Sequence, residues 1–328
     1  MKKVPLSILA ICLSVITATL IARTNSDQFI IHTVTRGESV SLLCIELYGY
    51  YSEELGGAFL KDNPEIKNIN LIGVGQKLKF RKPKEAEKQT VENTIPTDTL
   101  FVKKINATQG VVTFVEGEAT IKKTDGTVTE LSVNTIVTPG DQIITGADGK
   151  AELIINRESV IRLKKNTAML IENFRDNSGS VEKTRIECGS GTIWTKVKKF
   201  KDKICRFELA LPTAIAGVHG TVYQISVDPD SGSEVKVYSG EVAVSSKVQK
   251  ATEHEALQEV SGPQEVSGPS EVSMEAWVHI VRSMSLITIS KDGTAGNLAG
   301  FKKSPEDEWE NWNEERDSRI ARLFSEKK

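Results

Sequence analysis

The sequence predicts a mainly β protein. A small β-α-α-β module is joined to a larger all-β unit, an antiparallel sandwich or a solenoid-like array, with an amphipathic helix at its C-terminal end. Three observations carry this. From residue 104 to 248, short segments of alternating apolar and polar side chains follow one another between turn signals, with no helical period among them. Ahead of them, residues 30–80 read strand, helix, helix, strand. Behind them, Trp309, Trp312, Arg316, Ile320 and Leu323 recur at helical spacing on one face.

A length of 328 residues suggests about two domains at roughly 150 residues each. Hydrophobic residues make up 39% and charged residues 26%, which supports a packed core and argues against wholesale disorder. Lys and Arg number 42 against 44 Asp and Glu, so no global basic field exists to hold a nucleic acid. Four Cys exclude a disulfide-dense scaffold, and four His leave little for a His-built metal centre.

Met1-Lys2-Lys3 followed by Val4 to Ala22, a run without charge, reads as an export signal. The run is long for a signal and just reaches a bilayer-spanning length, so a cleaved leader and an uncleaved inner-membrane anchor (residues 1–23) both stay open. In either case residues beyond 23 are expected in the periplasm or cell envelope. Cys44 reads as a core residue of a helix. Cys188 and Cys205 lie in strand-like segments and are read either as a pair or as two separate buried thiols.

In the first module, Phe29 to Val34 is β-branched and strand-like, and Thr35-Arg36-Gly37-Glu38 is a turn. Ser39 is a good N-cap for a helix from Val40 to Tyr48, which Gly49 stops. A second helix fits Glu53 to Asp62 and closes at Asn63-Pro64. Gly73 to Gln76 is a turn, and Lys77 to Phe80 alternates as a closing strand. The texts HTVTRGESVSLLCIELYG, LKDNPEIKN and IGVGQKLKF, in this order, resemble the LysM domain over the whole module, about residues 30–82. Glu38 stands for the family's usual Asp, Ser39 for Thr and Val74 for Pro. The resemblance implies binding of N-acetylglucosamine-containing glycans, in bacteria usually peptidoglycan. It implies contacts from Gly37, Glu38, Ser39 and Val40 in the first loop, from Asn63, and from Asn70, Leu71 and Ile72 in the second loop. Such a glycan needs backbone donors and acceptors for its amides and apolar ledges for its sugar faces. Ser39 is expected to cap its helix whatever else it does.

Residues 83–103 are polar, mixed in charge and read as a linker. The β unit then includes segments at Ala119–Lys122, Ala151–Ile155, Val160–Leu163, Thr184–Cys188, Thr192–Val197, Val222–Ile225 and Glu234–Tyr238. Their alternation implies one wet face and hence antiparallel pairing. The texts TPGDQIITGADGKAELII, GSGTIWTKV, LPTAIAGVHGTVYQISVD and VKVYSGEVAV resemble the FecR domain, with His219 where that family commonly has Arg. Gly217 and Gly220 suggest a tight bend or a close backbone approach. His219 reads as a turn histidine, and Lys196 to Lys201 as a basic, solvated hairpin. The best-known FecR-family member passes a signal from an outer-membrane receptor to a cytoplasmic sigma factor and needs a cytoplasmic domain before its membrane segment. Only Met1-Lys2-Lys3 precede Val4, so that mechanism is not expected to carry over.

Residues 249–273 repeat Glu-Val-Ser-Gly-Pro and read as a flexible insertion. Residues 274–328 hold strands at Val278–Val281 and Leu286–Ile289 that complete the β unit, then a helix. Ser304 is expected to cap that helix, with Pro305 in its first turn and Asp307 closing a capping box. Its apolar face is expected to dock on the β unit, and Glu310, Asn311, Glu314 and Asp317 to face away.

The expected function is a non-enzymatic envelope protein that binds peptidoglycan or a related glycan through the first module and presents the β unit to an envelope protein or polymer. A periplasmic signalling or regulatory component is the alternative, and a wall-remodelling enzyme is the third reading. No catalytic residue, metal-ligand set or cofactor is assigned. Membrane contact is expected only through residues 4–22, if they are retained.

Overall fold

The computed structural model describes residues 28–83, 109–155, 159–174, 183–198, 206–218, 220–247 and 278–321. The expected leader, nearly all of the linker, the 249–273 insertion, Cys205, His219 and the 199–201 part of the basic hairpin lie outside these residues. The chain divides into two compact units, Met1–Asn106 with Ser132–Asn134, and Ala107–Leu131 with Thr135–Lys328.

The first unit has the expected order: β1 (Phe29–Thr33), α1 (Val40–Tyr48), α2 (Glu53–Asp62) and β2 (Lys77–Arg81). The strands pair antiparallel, from Phe29 opposite Arg81 to Thr33 opposite Lys77. Ser39 caps α1 by accepting from the Leu42 N–H at 3.2 Å. Gly49 ends the helix in the left-handed region, its N–H donating to the Ile45 carbonyl. In β2 the alternation buries Leu78 and Phe80 between exposed Lys77, Lys79 and Arg81, and the Phe80 ring lies 5.1 Å from that of Phe59 on α2. Cys44 is buried on α1, as expected, and burial pushes its thiol up to about 12. Replacing Ser39 by Ala deletes the cap and is expected to cost about 1 kcal/mol, read as a lower urea midpoint of this unit.

The second unit is a single curled sheet. One run of neighbours is β6 (Ile136–Val137), β3 (Gly110–Glu116), β8 (Lys150–Ile155), β9 (Ser159–Leu163), the second half of β11 (Lys183–Val197), β14 (Val222–Asp228), β15 (Gly232–Ser239), β18 (Ser285–Ser290) and β19 (Ala299–Gly300). The other is β5 (Val128–Glu130), β4 (Ala119–Lys122), β7 (Gln142–Thr145), β10 (Ala168–Asn173), the first half of β11, β12 (Arg206–Ala210), β13 (Ala214–Val218), β16 (Glu241–Ser246) and β17 (Val278–Arg282). Among the described residues every ladder is antiparallel except that of β11 with β12. One apolar cluster draws on both runs, with Leu153, Ile161, Ile193 and Ile225 from the first and Ile143, Ile186, Leu209 and Val244 from the second.

β11 corrects the sequence reading, which placed two strands either side of Gly189-Ser190-Gly191. It is one strand of 15 residues that changes partners at this point. Up to Ser190 it pairs with β10, and from Gly191 with β14. Gly191 has φ +88°, and a Cβ there would lie 2.4 Å from the Thr167 Cα, so the glycine permits the turn from one run into the other without ending the strand. Cys188, just before it, is a free buried thiol.

α3 (Glu308–Arg319) also departs from expectation. Its N-cap is Asp307, whose carboxylate accepts from the Trp309 and Glu310 N–H groups, and not Ser304. The predicted inward face holds for Trp309, Arg316 and Ile320, all buried. Glu310 and Asp317, expected outside, turn inward because the sheet offers them partners: Glu310 accepts from the Tyr238 hydroxyl at 2.5 Å, and Asp317 meets Arg162 at 2.8 Å. None of the described helices is long and apolar enough to cross a membrane.

Candidate functional site

In the first unit, antiparallel pairing puts the exit of β1 and the start of β2 at the same end. The Val34 N–H donates to the Gln76 carbonyl at 2.9 Å, and the Gly75 N–H to the Val34 carbonyl at 2.8 Å. The loops that follow β1 and precede β2 therefore emerge side by side. Gly37 makes the first turn at φ +79°. In the second loop the Asn70 N–H donates to the Asn68 side chain at 2.9 Å, and Leu71 and Val74 are 75% and 73% exposed. Both are apolar and open to solvent, as side chains that meet a sugar face must be.

Four of the eight expected contact residues have side chains that are buried or bonded within the unit. Ser39 and Val40 are 2% and 0% exposed, so neither side chain reaches a ligand. Ser39 is held by its cap and by the Ser41 hydroxyl at 3.1 Å. Asn63 is fully buried: its amide donates to the carbonyls of Phe59 and Lys79 and its oxygen accepts from the Lys79 N–H. Glu38 turns inward, accepting from the Thr35 N–H at 2.6 Å and pairing with His32 at 2.8 Å. Burial pushes its carboxyl up, but these hydrogen bonds outweigh it and hold the group below the usual carboxylate range. Gly37, Asn70, Leu71 and Ile72 remain at the surface or half-buried, and Val74 joins them. Sequence reading passed over Val74 because it was matched to the family's Pro; its exposure within a run of turn residues was the available signal.

In the second unit, a row of directly opposed residues crosses the outer face of the sheet: Phe114, Glu152, Arg162, Trp194, Gln224 and Lys236. α3 lies on this row. Arg162 Nε donates to Glu152 at 2.7 Å, and Arg162 Nη1 donates to the Asn313 backbone and side-chain oxygens, both at 3.2 Å. Arg316 reaches Glu152 through Nε at 3.1 Å and through Nη2. Trp309 Nε1 donates to Gln224 at 3.1 Å, and Trp312 lies 5.4 Å from the Phe114 ring. Glu152 and Arg162 are wholly buried. Burial alone would raise the Glu152 carboxyl, but Arg316 and Arg162 outweigh it and bring it down to about 2. Sequence analysis missed this layer, although a charge inside each of the apolar runs Ala151–Ile155 and Val160–Leu163 marks a partnered ion under a cover.

The turns of this unit that carry the FecR resemblance include buried, hydrogen-bonded groups. Asp141, in the Pro139-Gly140-Asp141 turn, is fully buried, accepting from Lys123 at 2.7 Å and from the Thr138 N–H at 2.8 Å. Gly220 has φ +70°, whereas Gly217 sits within β13 and makes no bend. The Thr221 hydroxyl donates to the Glu241 carbonyl at 2.9 Å, tying the turn before β14 to the start of β16. Residues 141–243 match the sequence model of the FecR protein family. The FecR match thus runs from Asp141 and β7 to β16, and leaves β3–β6, β17–β19 and α3 outside it. Two crystal structures of a proposed anti-sigma factor from Parabacteroides distasonis ATCC 8503 are similar to the chain, at 13% and 12% identity with TM-scores of 0.35 and 0.34. The alignments cover 52% and 56% of this chain, and 64% and 74% of those structures. No curated protein matches the chain. Among the described residues no group of three or more His, Cys, Asp and Glu is placed to hold a metal ion.

Proposed function

We propose that the chain is a regulatory component of the bacterial cell envelope whose FecR-type β unit binds a protein and turns over no substrate. The FecR family match over residues 141–243 carries this reading, which was the alternative on sequence grounds. Within the matched segment, Asp141, Gly220 and Thr221 work as turns and strand ties, as scaffold residues do. Photo-crosslinking from exposed positions in residues 141–243 of the exported full-length protein is expected to recover one discrete envelope protein. Uniform labelling that follows surface abundance removes the proposal.

A second reading is favoured by the first unit. Its two loops share one end of the β1–β2 pair, and Leu71 and Val74 are apolar and exposed. In this reading the LysM-like unit tethers the protein to peptidoglycan through N-acetylglucosamine units. The protein is expected to sediment with insoluble peptidoglycan, to lose at least about 90% of that retention without residues 30–80, and to release no muropeptides on long incubation. Full retention after the deletion excludes the tether, and muropeptide release excludes the non-enzymatic reading.

A further inference from the structure

We propose that α3 is a releasable occupant of the sheet face: it lifts off as a unit while the sheet stays folded, and the uncovered face receives an amphipathic helix of a partner protein in its place.

The face is self-sufficient when bare. Glu152 and Arg162 stand directly opposite each other on β8 and β9, and the Thr113 hydroxyl donates to Glu152 at 2.8 Å. Removing Arg316 therefore leaves neither sheet ion without a partner. α3 follows β19, the last described strand, so lifting it breaks no described strand pairing.

The grip of α3 is also weak for its size. A helix of 12 residues is marginal in water by itself. Its contacts with the sheet are mostly polar: Arg316 to Glu152, Arg162 to Asn313 and Asp317, Trp309 to Gln224, and Tyr238 to Glu310. Such contacts exchange for water at little net gain, and buried ion pairs roughly break even against their desolvation. The apolar part of the grip comes from Trp309, the half-buried Trp312 and Ile320.

The fit is incomplete. With α3 in place, Arg162 Nη2 and Trp194 Nε1 are buried donors without a hydrogen-bond partner among the described residues, and they stand opposite each other on β9 and β11. An occupant that brings acceptors to both gains what α3 forgoes. The partner segment would keep the resident pattern, with two aromatic residues three apart, a cation for Glu152 and a carboxylate for Arg162. It would add a second carboxylate or amide over the Arg162–Trp194 pair.

Hydrogen exchange of the full-length protein tests release. Amides of residues 311–320 are expected to exchange together, at least about 100-fold faster than those of β11 and β14. Arg316→Gln is expected to speed that group about 10-fold, leaving it still at least about 100-fold faster than the sheet amides. Exchange of α3 only at the rate of the sheet, in the wild-type protein, overturns the proposal however the variant behaves. Docking is tested with a fluorescent peptide of this chain's own residues 303–321. Saturable binding to the Arg316→Gln protein, at least about 10-fold tighter than to wild type, is expected from competition with the resident helix. Docking rests on the β unit being a protein-binding module, and a flat titration overturns it. Crosslinking of a protein elsewhere on residues 141–243 would leave that broader reading standing, so the two failures are distinguishable.

Discussion

Glu152→Ala is expected to destabilise the β unit by about 3–5 kcal/mol, because it strands two guanidinium groups in a dry layer. Arg162 is wholly buried and Arg316 is 4% exposed, and Glu152 bonds to both. Arg316→Gln is expected to cost less, about 1.5–3 kcal/mol, because Glu152 then keeps Arg162 and Thr113. The order of the two losses is the test. Equal losses in guanidinium midpoints, or a loss below about 1 kcal/mol for Glu152→Ala, would mean that the carboxylate is not the centre of the layer. The same group sets an acid limit. Its carboxyl lies at about 2 in the folded chain, against an ordinary 4.5. A depressed carboxylate pKa contributes stability that is full above about 4.5 and is lost as pH falls towards 2, amounting to about 3 kcal/mol here. In a pH series of thermal unfolding the wild type should lose this increment below pH 4.5, and Glu152→Gln should lack that part of the slope.

The elements that could be read from sequence are those whose signals are local. α1 announced itself through Ser39 and Gly49, and α2 through Asn63-Pro64, because caps and stops act within one turn of chain. The strands of the β unit announced themselves by a period of two. What could not be read depends on partners far along the chain. Gly189-Ser190-Gly191 has the composition of a turn, and only the neighbours β10 and β14 make it the middle of a strand. Glu310 and Asp317 belong to the polar side of α3 on any wheel, and only Tyr238 and Arg162 on the sheet draw them inward. Ser39, Val40 and Asn63 illustrate a related point. Their side chains are buried in the first unit, and a sequence motif alone does not separate a residue that builds a loop from one the loop displays.

Asn63→Ala separates those two roles in solution. Among the described residues β2 pairs only with β1, and on its other side the Lys79 N–H and carbonyl are both met by the Asn63 side chain, at 2.8 and 2.9 Å. The carboxamide thus acts as a short surrogate strand, and a further bond to the Phe59 carbonyl at 2.8 Å fixes the end of α2 against that edge. Alanine leaves these buried backbone groups unmet and is expected to cost about 3 kcal/mol of the first unit's stability. Asn63→Asp keeps the acceptor for the Lys79 N–H but loses both donated bonds, and should fall between alanine and wild type. In the tether reading, a structural role further requires that peptidoglycan retention, measured where the variant is still folded, match the wild type. A variant that unfolds at the wild-type midpoint yet no longer sediments with the wall would return Asn63 to the ligand side of the loops, and the surrogate-strand account would fail.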